Sequence, residues 1–147
     1  ALYIVRELLT AEPKGKGTNL TEALRFFNNS TRQRSISFVL SDFLDENFSD
    51  SMKVAGKKHD MIGIKVYDKM DVQLPDAGLL QVMDAETGKT KWIDSSDYWA
   101  RQQYEKRFFE HTEWCKNLFV KSGSDLLHIR TDEDYVKVLQ KFFIGRS

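Results

Sequence analysis

Ile36-Ser37-Phe38-Val39-Leu40-Ser41-Asp42-Phe43 decides the fold. The apolar run Ile36 to Leu40 reads as a buried strand, and Asp42 stands at its carboxyl end. Ser49 to Lys58 then has helical spacing, with Met52, Val54 and Ala55 placed inward. Met61-Ile62-Gly63-Ile64-Lys65-Val66-Tyr67 is a second strand, ended by Asp68. Strand, helix and strand make a βαβ unit, expected to be parallel and right-handed.

Upstream, Gly15-Lys16-Gly17-Thr18-Asn19-Leu20 is a glycine-rich turn opening a helix. Asn19 with Glu22 resembles a capping box, and the helix should bury Leu20, Ala23, Leu24 and Phe27. Glu12 to Gly17 is a breaker-rich loop. Leu2, Val5, Leu8 and Leu9 recur at helical spacing, so the chain is expected to start inside a helix, as a fragment of something longer.

Downstream, Leu79 to Asp84 and Thr90 to Asp94 flank Glu86-Thr87-Gly88-Lys89. This pattern predicts an antiparallel hairpin over about 79–94, with Gly88 supplying the positive φ of its turn. Ser96 is read as the cap of a long helix from Asp97 to Lys121, ended by Gly123. Its inward stripe is Tyr104, Phe108, His111, Cys115, Leu118 and Phe119. Leu126 to Ile129 is the third core strand. Thr131 with Asp134 suggests another capping box, before a final helix that buries Tyr135, Val138, Leu139 and Phe142. The class is α/β, a mostly parallel sheet flanked by helices. Three parallel strands are few, and a first strand on an open edge would expose an unpaired ladder where further strands belong.

The chain has 147 residues, enough for one domain with a core. Lys plus Arg and Asp plus Glu number 22 each, which argues against nucleic-acid or anionic-membrane binding driven by global charge. No apolar run approaches the ~20 residues that span a bilayer. Cys115 is alone, so no internal disulfide or thiolate metal cluster is available, and a reducing, cytoplasmic setting fits.

A glycine-rich turn and a strand-end aspartate are the parts from which open α/β sheets build ligand sites. Thr18 and Asp42 carry oxygens suited to a hard divalent cation. Each also has a plain structural reading, Thr18 as a capping hydroxyl and Asp42 as the cap of the next turn. Ser41 and Asp45 would add supporting hydrogen bonds. His111 lies on an inward stripe and reads as a core histidine, His59 beside Asp60 as structural, and Cys115 as buried and inert. On the long helix, Trp99 or Phe109 would suit a partner-binding patch.

With these residues placed, the chain resembles the C-terminal part of a von Willebrand factor type A domain. More narrowly, it is similar to the prokaryotic domain of unknown function 58 family, associated with MoxR-type AAA+ ATPases. The resemblance runs from Gly15-Lys16-Gly17-Thr18-Asn19-Leu20 with Ala23-Leu24, through Leu40-Ser41-Asp42-Phe43, His59-Asp60-Met61-Ile62 and Leu74-Pro75 with Gly78. It continues in Asp84-Ala85-Glu86-Thr87-Gly88, Leu127-His128-Ile129 with Thr131-Asp132, and Phe142-Phe143 before Arg146. It implies a Rossmann-like fold whose N-terminal strands are missing, residues 1–147 forming a partial domain with an inserted hairpin.

Such domains build a metal-ion-dependent adhesion site from three loops. The resemblance assigns Thr18 to the second loop and Asp42 to the third. The first loop's Asp-x-Ser-x-Ser does not occur in this sequence; Asp50-Ser51 and Asp94-Ser95-Ser96 lack its spacing. The resemblance therefore implies a non-enzymatic interaction or adaptor module with a partial adhesion site. Magnesium or manganese would bind in the intact parent, with none held tightly by this fragment. A MoxR-type ATPase would be the partner in protein assembly or maturation, and self-association through the open sheet edge is a further expectation. The alternative is a magnesium-dependent phosphoryl-transfer enzyme using Asp42, although its second aspartate is expected two residues on and Leu44 stands there. Gly15-Lys16-Gly17-Thr18 also lacks the spacer of a nucleotide-binding loop.

Overall fold

The computed structural model describes residues 2–12, 17–83 and 88–146. Its frame is a three-stranded parallel sheet in the order β1-β2-β5, from β1 (Ile36–Ser41), β2 (Asp60–Tyr67) and β5 (Asp125–Arg130). The helices are α1 (Leu2–Thr10), α2 (Leu20–Ser30), α3 (Ser49–Lys58), α4 (Lys69–Val72), α5 (Tyr98–Lys121) and α6 (Tyr135–Arg146). The hairpin forms as expected, β3 (Leu79–Met83) antiparallel to β4 (Thr90–Asp94), with Gly88 at φ 67°. The readings at Pro13 to Lys16 and Asp84 to Thr87 lie outside the described residues. No helix among the described residues is long and apolar enough to cross a membrane.

The main core cluster lies on one side of the sheet, and Ile62, Ile64, Leu127 and Ile129 are buried on the other. Register places Val39, Met61, Gly63 and Leu126 on a common face. There they meet Leu24 of α2, Met52 and Ala55 of α3, and Cys115, Leu118 and Phe119 of α5. Gly63 is required at this crossing, because a Cβ there would run into the Phe119 ring and Leu126. Phe43, Phe48 and Phe119 stack edge to face and tilted, with centroids 5.3–5.7 Å apart, within the range where aromatic pairs attract.

Several expectations need correcting. The run Ile36 to Leu40 is not buried: it is an edge strand of alternating exposure, and Ile36, Phe38 and Leu40 face away from the core. Val54 is exposed because α3 turns Ser51, Met52 and Ala55 to the sheet, and Val54 falls on the opposite side. Ala23 is exposed on α2 for the same reason. On α6, Val138, Leu139 and Phe142 are half-buried and Tyr135 is exposed, since only one edge of that helix reaches β5.

Three caps also differ. Asp97, not Ser96, caps α5, accepting from the Trp99 amide at 2.8 Å, while Ser96 Oγ donates to Asp94. Asn19 accepts from the Glu22 amide as expected, but the Glu22 carboxylate pairs with Arg25. Thr131 donates to Asp68 rather than capping α6, and Asp134 takes that role by accepting from the Lys137 amide.

Candidate binding rim at the carboxyl ends of the parallel strands

Chain direction decides where chemistry gathers. β1 and β2 run parallel, so the residues following each strand emerge at one end of the sheet. β1 delivers Ser41 and Asp42 there, and β2 delivers Lys65 and Tyr67, with Ser41 paired to Lys65 in register. Phe43 follows at φ 57°, a left-handed conformation costly for an aromatic residue, and is fully buried against Phe119. That kink turns Asp42 outward while its neighbour anchors the core.

Asp42 is exposed, and its Oδ1 accepts from the Leu44 amide at 3.2 Å and from Ser41 Oγ at 3.4 Å. The supporting bond expected from Ser41 is therefore present. Asp45 behaves differently from expectation. Its Oδ2 accepts from the amide of Leu20, the first residue of α2, and its Oδ1 from the Asn47 amide, both at 2.9 Å. Thr21 Oγ1 returns a bond to the Asn47 carbonyl at 2.9 Å. The loop after β1 is thus stitched to the start of α2, where an otherwise unpaired helix amide is satisfied by a carboxylate.

The two candidate ligands lie on different hollows of this rim. Thr18 lines a small one with Asn19, Thr21, Asp45 and Asn47. Asp42 lines a larger one, about 660 Å³, between the strand ends and α5. Both are hard oxygen donors, the type a divalent cation takes, but they are only two. Among the described residues no group of three or more His, Cys, Asp or Glu side chains is placed to hold a metal ion.

The larger hollow contains what sequence reasoning missed. Lys65 is 2% exposed and donates from Nζ to the Asp42 carbonyl oxygen. Its Nζ also lies 3.4 Å from His111 Nδ1 and 5.8 Å from the Phe108 ring centroid. Burial is the main cause holding its amine below the usual lysine range, opposed by Cys115, Asp42 and Asp71. His111 is lowered by burial first and by Lys65 second. Burial pushes the Cys115 thiol up to about 11, so it stays protonated and inert at neutral pH. The available signal was Lys65 itself, a single cation inside an apolar strand and on the same face as Met61 and Gly63.

The remaining candidates sort cleanly. His59 is buried, 3.2 Å from Ser35 Oγ and tilted against the Phe27 ring at 4.6 Å between centroids, while adjacent Asp60 pairs with Arg146 at 2.6 Å. They face different ways, as a structural pair would. Trp99 and Phe109 are exposed on α5.

Comparison with known proteins gives the family. The profile of a family described as a protein of unknown function, DUF58, matches residues 1–114. An uncharacterized protein of Mycobacterium avium is 29% identical over 135 residues, covering 91% of this chain and 79% of that relative. Uncharacterized proteins of Mycobacterium bovis and Mycobacterium tuberculosis are each 28% identical over 135 residues, covering 91% of this chain and 42% of their own length. The chain thus spans less than half of these two longer relatives. No solved structure matches it.

Proposed function

We propose that this chain, which belongs to the DUF58 family, is part of a non-enzymatic protein-binding module of the von Willebrand factor A type. Its working surface is the rim at the carboxyl ends of β1 and β2. The observation that carries this reading is the Asp45 bridge, which fixes the Asp42 loop against the segment bearing Thr18. Two loops far apart in sequence are held as one surface before any ligand arrives, which lowers the ordering cost of binding.

In the intact protein Thr18 and Asp42 would hold magnesium or manganese, together with ligands from outside this chain. The metal would supply a Lewis-acidic point that takes a carboxylate from the partner. Asp42 is oriented for this by Ser41 and Leu44, and Phe43 keeps its loop from collapsing onto the sheet. The family resemblance makes a MoxR-type AAA+ ATPase the proposed partner, in assembly or maturation of other proteins.

Calorimetric titration of magnesium and manganese into the full-length native protein tests the reading. Asp42→Ala should weaken metal binding and partner capture together. Equal titration by wild type and variant would overturn the metal part.

A further inference from the structure

The floor of the larger hollow holds a charge that the rim reading does not use. Lys65 is buried yet lines the cavity of about 660 Å³. Its polar contacts are a neutral carbonyl and an imidazole. It makes no ion pair with any carboxylate among the described residues, and Asp42 and Asp71 act on it only at longer range. An ammonium carries three donors, so this one has capacity left after its two contacts. Burying a cation without a counter-ion is costly, and an anion entering the cavity would relieve that cost.

The walls say what the anion is attached to. Tyr104, Phe108 and Trp114 of α5 line the cavity, and its size is that of a small-ligand pocket. Exposed Asp42, Glu46, Asp71 and Glu110 line the cavity, with exposed Arg107 as a second cation beside Lys65. These carboxylates would repel a polyanion, whereas a single carboxylate can be compensated by direct pairing with the Lys65 ammonium.

We propose that this cavity takes the carboxylate of an aromatic monoacid, with Lys65 as its counter-ion and the α5 rings holding the apolar body. The acid is either a free small molecule or the C-terminal residue of a peptide. No metal is involved, although Asp42, the metal ligand of the rim reading, lines the same cavity.

The test is calorimetry on the full-length native protein with a chelator present, which separates it from any metal-dependent binding. The probes are 3-phenylpropionate, its neutral amide, and a short peptide ending in phenylalanine with a free or amidated terminus. Each acid form should bind roughly tenfold or more tightly than its amide. Tighter binding of the peptide identifies a protein terminus as the source, and tighter binding of 3-phenylpropionate a free acid. Lys65→Met should remove the acid preference, and Lys65→Arg should keep part of it. If Lys65→Met fails to fold, the acid-against-amide comparison on wild type still decides. Equal binding of acid and amide, or no saturable binding of either acid, would overturn the proposal.

Discussion

Met61, Gly63 and Lys65 on β2 face α3 and α5 and are buried, whereas Ile36, Phe38 and Leu40 on the opposite face of neighbouring β1 are 64%, 46% and 66% exposed. Both strands are comparably apolar, so hydrophobicity does not explain the difference. Cover does. Phe119 descends onto Gly63 and closes one face, while on the other α6 meets β1 at the edge-to-face contact of Phe143 with Phe38. Stability should therefore concentrate on the α5 side, and the outer face of β1 should contribute little.

Substitutions graded across that divide can break the picture. Phe119→Ala should cost the most, about 3–5 kcal/mol by urea unfolding, because it removes a fully buried ring packed between Phe43 and Gly63. Asp45→Ala should cost about 1.5–3 kcal/mol, since two backbone amides lose a charged acceptor. A loss near zero would mean that the two loops are not held together. Gly63→Ala should cost about 1–3 kcal/mol through overpacking against Phe119, and the double variant with Phe119→Ala should recover part of it.

A smaller effect should come from pH. His59, His111 and His128 are all held below the ordinary histidine value, burial being the first cause in each. As pH falls, the unfolded chain takes up these protons before the folded one. Stability is complete above about pH 6.5 and declines below it, towards the lowered folded values. Urea midpoints at about pH 7.5 and about pH 5.5 should show the fall, and equal midpoints would contradict it. Least of all, Ile36→Thr on the open face should change stability by no more than about 0.5 kcal/mol. A larger loss would mean that this face is covered in solution.

The same divide separates what was legible from what was not. Element order, the parallel pairing of β1 with β2, the hairpin and the inward stripe of α5 all arise from periodicity and turn chemistry, which are local. Whether Ile36 is covered depends on which helix lies across it, and no local pattern carries that. At the site, Asp42 was legible as a strand-end acid. The role of Asp45 was not, because its partner Leu20 lies twenty-five residues away in sequence. Lys65 was visible as an anomaly in an apolar strand, but only the packing of α5 over β2 gives it His111 and Phe108 as neighbours.

If the Thr18 and Asp42 loops form one ligand-bearing rim, a metal ion must be felt by both at once. Manganese-induced broadening of amide resonances in the full-length native protein tests this most directly. Signals from residues 18–20 and 41–44 should broaden together, and Asp42→Ala should abolish both effects. Broadening confined to other surface acids, or affecting one loop without the other, would contradict the shared rim.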